Sequence, residues 1–202
     1  GKGHETIQEI GVKKIIFSDK KVILDAIKLK NSSLSNDLKF NILKELSEEK
    51  KLSFRITLKK AQINSKEIKK GDIFFAIKGK KNDGNKFISE AFNKKASIAI
   101  VNKISKNNNI KHQIKVRDSL KFLTQSSKVY RKNINTKIIA ITGSCGKTTL
   151  KELLGNSLKK LSRTSTSPKS YNNKYGVPLS LFNLNQKDDY GVLEIGMDKK
   201  GE

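Results

Sequence analysis

Hydrophobic and polar positions divide the chain into stretches with different rhythms. In residues 1–30 they predict a loop, a short strand over 14–17, and a helix over 22–27 whose start is capped by Ser18-Asp19. Residues 31–37 are polar and turn-rich, which predicts a linker. Over 41–51 charged residues surround a weak helical spacing at Ile42, Leu43 and Leu46, so a short helix and a longer linker both fit.

Between 52 and 135 short apolar runs alternate with helical spacing. A turn at 68–72 leads into an apolar strand at 73–77, and Asn82-Asp83-Gly84-Asn85 marks another turn. A helix over 87–95 places Ile88, Ala91 and Phe92 on one face. A buried strand follows at 97–101, and Asp118 caps a helix carrying Leu120, Leu123 and Val129. Strands and helices alternating at these lengths imply a compact α/β unit. From 136 onward, Lys137-Ile138-Ile139-Ala140-Ile141 is too apolar for a half-exposed strand, so a central parallel strand is expected. A glycine-rich loop, a helix over 150–161 and a strand over 190–195 complete the pattern. The expected organisation is therefore 1–30, a linker at 31–51, a small mixed α/β domain at 52–135, and the start of a parallel-sheet domain at 136–202.

Composition changes this picture only in part. Hydrophobic residues make up 35% of the 202, enough for a core, and no apolar run reaches the length of a membrane span. The first residues have no apolar stretch of the kind found in a signal peptide, and a single cysteine, Cys145, fits a reducing cytoplasm. The formal charge of +24 raises a nucleic-acid-binding module as one reading. Against it, the arginines are few (Arg55, Arg117, Arg131 and Arg163), and the lysines are spread along the whole chain. The expectation is no nucleic-acid partner, with the excess charge favouring small anions such as nucleotides.

The chemistry concentrates in Thr142-Gly143-Ser144-Cys145-Gly146-Lys147-Thr148-Thr149, set between an apolar strand and a helix. Glycines let a backbone turn its N–H groups onto phosphates, and a helix N-terminus adds positive potential. Lys147 would neutralise the β- and γ-phosphates of ATP, and the Thr148 hydroxyl would ligate Mg²⁺. Cys145, in the same loop, should be sensitive to alkylation. A strict phosphate loop would need glycine at 141, where this chain has Ile141.

The shortened loop resembles that of the Mur ligases and folylpolyglutamate synthetases. Asn172-Asn173-Lys174-Tyr175-Gly176-Val177-Pro178 is similar to a second motif of that family, and Glu194-Ile195-Gly196-Met197-Asp198 to a third. In that third motif Asp198 stands where the family usually has Asn. The resemblance implies that Glu194 helps hold a second Mg²⁺ and that Asn173 lies where nucleotide and substrate meet. Asn64-Ser65-Lys66 stands where the family shows Asp-(Ser/Thr)-Arg, which would place Ser65 and Lys66 at the UDP moiety of the substrate. The region from Leu52 is most similar to the Mur ligases that join D-alanyl-D-alanine to UDP-N-acetylmuramoyl-tripeptide. Gly1-Lys2-Gly3-His4-Glu5 resembles the C-terminal end of the diamino-acid-adding Mur ligases, with Gly1 and Glu5 at the diamino acid.

By that resemblance the fold is an α/β arrangement: a short tail of an α/β domain, a UDP-binding domain, and the start of an ATP-binding domain. Two consecutive ligases would be fused in one chain. The implied reaction phosphorylates the tripeptide carboxylate with ATP and lets the D-alanyl-D-alanine amine attack the acyl phosphate. The family's later histidine, its carbamoylated lysine and its third domain would fall past Glu202, so the 202 residues alone are expected to be inactive. A stand-alone phosphate-loop NTPase or kinase is the rival reading.

Overall fold

The computed structural model describes residues 7–10, 13–16, 36–47, 58–79, 82–106 and 112–196. Strand β1 (Ile7–Ile10) pairs antiparallel with β2 (Lys13–Ile16), Ile7 lying opposite Ile16. Sequence rhythm indicates only the second of these strands. The run Ile7-Gln8-Glu9-Ile10 does not alternate, and it becomes a strand through pairing, which no periodicity reports. The helix expected over 22–27 lies outside the described residues, as do Gly1 and Glu5.

Helix α1 (Asn36–Ser47) begins inside the stretch expected to be linker and resolves the open choice over 41–51 in favour of a helix. Ile42 and Leu43 are buried and Leu46 packs beside them, so the weak stripe suffices once a partner surface is present.

A parallel sheet of four strands follows in the order β3-β4-β5-β6: β3 (Ala61–Gln62), β4 (Ile73–Phe75), β5 (Ile98–Val101) and β6 (Gln113–Lys115). Successive side chains of β4 and β5 go to opposite faces. Ile73, Phe75, Ile98 and Ile100 join one apolar cluster, while Phe74, Ala99 and Val101 join another. Helix α2 (Ile88–Asn93) supplies Ile88 and Ala91 to the second cluster. Helix α3 (Ser119–Lys132) supplies Phe122, Leu123 and Tyr130 to the first. Asp118 caps α3 as expected, accepting from the N–H groups of Leu120 and Lys121 at 2.9 and 3.0 Å.

The second sheet is also parallel, in the order β7-β9-β8, with β7 (Lys137–Ile141), β8 (Thr164–Thr166) and β9 (Tyr190–Glu194). Helix α4 (Lys147–Lys159) follows β7, and α5 (Gly176–Phe182) precedes β9. The described strands flank β7 on one side only. Within the described sheet β7 is an edge strand and β9 takes the middle. Lys137 and Ala140 are exposed, Ile138 and Ile139 are half-buried, and only Ile141 is buried. An apolar run records how much burial a strand tolerates, and it does not record which strands flank it.

Apolar packing continues across the division expected near residue 135. Leu179, Phe182, Leu184 and Leu193 belong to the same apolar cluster as Phe75 and Tyr130. The Phe182 ring meets Phe75 edge-on at 6.1 Å and Tyr130 at 5.3 Å. The Tyr130 hydroxyl donates to the Leu184 carbonyl at 2.7 Å. Asn183 accepts from the Ala61 N–H at 2.7 Å and donates to the Ala61 carbonyl at 2.8 Å, so a side-chain amide extends the edge of β3. Lys39 of α1 donates to the Lys59 carbonyl at 2.8 Å, above the Tyr130 and Phe182 rings. Burial pulls its pKa down to about 8.

Candidate functional site

The loop between β7 and α4 has the backbone that its glycines make possible. Gly143 has φ 145° and Gly146 has φ 72°, values that side-chain-bearing residues rarely adopt. A Cβ on Gly146 would meet nothing within 4 Å, so the dihedral angle and not crowding demands glycine there. The chain enters α4 directly, and the first helical bond runs from the Leu150 N–H to the Gly146 carbonyl at 2.9 Å. The N–H groups of the opening turn therefore remain outside the helix ladder, pointing along the axis where an anion is stabilised. Lys147 arches over the loop and donates to the Gly143 carbonyl at 2.7 Å.

Opposite the loop, β9 ends in Glu194, whose side chain is only 2% exposed. Each carboxylate oxygen is met by a named donor. The Thr148 hydroxyl donates to Oε2 at 2.8 Å, and the Asn172 amide donates to Oε1 at 2.8 Å. The Lys151 ammonium lies 3.7 Å from Oε2. Burial pushes the pKa of Glu194 up. The hydrogen bonds from Thr148 and Asn172, with the charges of Lys151 and Lys147, outweigh it and leave the carboxyl below its ordinary value. Glu194 is thus held as a carboxylate. The Thr148 hydroxyl, its hydrogen directed at Glu194 in a hydrogen bond, keeps its lone pairs for a hard cation.

A cleft of about 480 Å³ opens above these groups. Thr142, Gly143, Ser144 and Lys147 line one side, and Asn172, Asn173 and Gly196 the other. It sits beyond the C-terminal ends of parallel strands, where α/β sheets bind ligands. Among the described residues no group of three or more His, Cys, Asp or Glu side chains could hold a metal ion by itself. A divalent cation here would need oxygens from a bound phosphate, as Mg²⁺ in nucleotide sites does.

The structure brings together Lys147, Thr148, Glu194 and Asn173, four of the residues expected from sequence. Asn173 lines the cleft, but its own Oδ1 accepts from the N–H groups of Tyr175 and Gly176, both at 3.0 Å, and so orders the entry to α5. Its neighbour Asn172 makes the contact to Glu194. Sequence reasoning places Asn172 in the second motif without giving it a role, and it does not single out Lys151. The signal available for Lys151 was its place one turn after Lys147, on the same helix face. Cys145 and Ser144 are exposed in the loop, and Thr149 is exposed in the first turn of α4.

Ser65 and Lys66 do not line this cleft. Ser65 is buried and its hydroxyl donates to Glu90 at 2.7 Å, while Lys66 is exposed. The adjacent Glu67 reaches the second unit, pairing with Lys169 at 3.1 Å beside a narrower cleft of about 220 Å³. Asp198 falls outside the described residues.

Residues 58–142 match the Mur ligase family catalytic domain, and residues 141–202 match the Mur ligase middle domain. The chain belongs to the Mur ligase family. It is 38% identical over 143 residues to the UDP-N-acetylmuramoyl-tripeptide:D-alanyl-D-alanine ligase of Buchnera aphidicola, an alignment covering 69% of this chain and 30% of that one. Among solved structures, a D-alanyl-D-alanyl-adding Mur ligase from Acinetobacter baumannii superposes with a TM-score of 0.68. It is 31% identical and covers 80% of this chain and 37% of its own. The MurF ligase of Thermotoga maritima in complex with ADP gives a TM-score of 0.58 at 33% identity, over 76% of this chain and 34% of that one. The chain spans about a third of the length of the curated Mur ligases it matches.

Proposed function

We propose that this Mur ligase joins D-alanyl-D-alanine to UDP-N-acetylmuramoyl-tripeptide at the expense of ATP, an activity of the whole protein, since this chain matches about a third of the length of its relatives. The observation that carries the proposal is the Thr148–Glu194–Asn172 hydrogen-bonded group set behind the Gly143–Gly146 loop. The relatives named above, one of them in complex with ADP, support it.

Lys147 and the loop N–H groups would hold the phosphates and neutralise charge on the moving phosphoryl group. Thr148 and Glu194 would hold Mg²⁺, which when bound would supply positive charge to the nucleotide's phosphates. Glu194 holds the Thr148 hydroxyl in place by a hydrogen bond, and Asn172 fixes Glu194 in turn. Ser65 is committed to Glu90, so Lys66 is the member of that pair available to the substrate's diphosphate. No helix among the described residues is long and apolar enough to cross a membrane, and the proposed place of action is the cytoplasm.

Residues 1–30 are read as the end of a diamino-acid-adding ligase fused upstream, Gly1 and Glu5 included. A reading frame continuing upstream of Gly1 into such a ligase supports this, and a stop codon there overturns it.

The test of function uses the full-length protein. Phosphate release and peptide-bond formation should require ATP, the UDP-tripeptide and D-alanyl-D-alanine together. Lys147→Ala should lower the rate by roughly 100-fold or more. Turnover of ATP at the full rate without the UDP-tripeptide would replace this reading with a stand-alone NTPase.

A further inference from the structure

The reaction proposed above gives no task to Lys151, yet this lysine has no accessible surface. A buried ammonium is costly unless charge and hydrogen bonds compensate it. Its partners come from three places. Glu152 Oε1, at the rim, lies 3.3 Å away, and Glu194 Oε2 lies 3.7 Å away at the end of β9. The third is the main-chain carbonyl of Lys169, to which the ammonium donates a hydrogen bond.

That carbonyl belongs to the turn joining β8 to α5. Lys169 has φ 49°, a left-handed conformation that a residue with a side chain keeps only where its surroundings hold it. The turn encircles Glu194. At its start the Ser167 hydroxyl oxygen accepts from the Glu194 N–H at 3.2 Å, and at its end Asn172 donates to Glu194 Oε1. The Lys169 side chain leaves in the other direction and pairs with Glu67 of the first unit. One buried cation therefore ties α4, the end of β9 and the 167–172 turn together.

We infer that Lys151 is a positioning residue for the nucleotide site, holding Glu194 and the 167–172 turn against α4 so that magnesium-dependent nucleotide binding relies on a side chain that touches neither ligand. This rests on the proposed reading of the cleft as a magnesium–nucleotide site. Without the ammonium the turn loses its anchor on α4, and Asn172 loses its fixed approach to Glu194. Thr148 then loses the fixed acceptor that aims its oxygen. The loop N–H groups and Lys147 do not depend on this tie, so contacts to the phosphates themselves persist.

The experiment is calorimetric titration of ADP, with and without Mg²⁺, into the full-length parent and its Lys151→Met, Lys151→Gln and Lys151→Arg variants. Melting temperatures are recorded in parallel. In the parent, Mg²⁺ tightens ADP binding. In the Met and Gln variants that gain should fall by on the order of tenfold, with metal-free binding within about twofold of the parent. Lys151→Arg, which keeps the charge, should recover part of the gain.

Folded neutral variants that bind Mg²⁺–ADP as the parent does would overturn the inference. So would equal weakening with and without the metal, which marks a general structural role. If both neutral variants fail to fold while Lys151→Arg behaves as the parent, the residue is a fold determinant and the inference falls. A parent that binds ADP identically with and without Mg²⁺ removes the functional reading itself, an outcome separable from the others because no variant is involved.

Discussion

In the first sheet every residue of β4 and β5 is buried, with apolar clusters on both faces. In the second sheet β7 keeps Lys137 and Ala140 exposed and Ile138 and Ile139 half-covered, and the adjoining α4 presents Leu150 and Leu153 to solvent at 53% and 64%. The two regions hold themselves together by different means. The first relies on close apolar packing. The second places its functional groups on a network of directed hydrogen bonds around Glu194 and borrows its core from the first through Phe182, Leu179 and Leu184. Side chains that decide folding and side chains that decide binding are therefore largely separate, and substitutions should sort accordingly.

The largest effect is expected at Phe75, fully buried against Phe182 where the two regions share a core. Phe75→Ala should cost about 3–5 kcal/mol in chemical denaturation of this chain. A loss below 1 kcal/mol would mean the shared core is not what joins the regions.

Next comes a pH effect at Lys39, which lies under the same shared core. Its folded pKa, about 8, is below its ordinary value of 10.5. Below pH 8 both folded and unfolded chains carry the proton, and the cost of burying the charge is fully present. Between pH 8 and 10 the folded chain gives up the proton first, so stability rises with pH, by about 2 kcal/mol from this residue. Above that range Tyr130 opposes the trend, because burial holds its hydroxyl up at about 12. Lys39→Met should remove the rise. An identical pH profile in both chains would place the ammonium in water.

The smallest effect should come from the half-covered strand. Ile139→Ala should cost about 1 kcal/mol or less, against the 2–5 kcal/mol typical of a fully buried isoleucine. A cost equal to that of Ile100→Ala would erase the contrast between the sheets.

What could be read in the sequence follows the range of the interactions involved. The loop at 142–149 was legible because its chemistry is local. Glycines at fixed offsets, a lysine and threonines follow an apolar run, and the fold keeps the glycines in the loop and sets Lys147, Thr148 and Thr149 in the first turn of α4. Asp118 as the cap of α3 was legible for the same reason. Lys151 and Asn172 were not, because their meaning depends on β9 delivering Glu194 between them from more than twenty residues away. β3 and β8 stayed hidden because two- and three-residue strands carry too few positions to show a period. Whether β7 is flanked on both sides could not be read from its apolar run, because such a run does not encode neighbour order. Ser65 was expected at the substrate, whereas its hydroxyl donates to Glu90, a partner set by the packing of α2.

The central claim is that nucleotide phosphates sit on the 142–149 loop, and Cys145 offers the most direct test. It is the chain's single cysteine and is exposed within that loop. The measurement is its rate of alkylation with and without Mg²⁺–ATP, in the parent and in Lys147→Ala. The account predicts that Mg²⁺–ATP slows labelling several-fold in the parent and that Lys147→Ala abolishes the protection. Labelling at the same rate with and without Mg²⁺–ATP, in a parent shown to be folded, would contradict it.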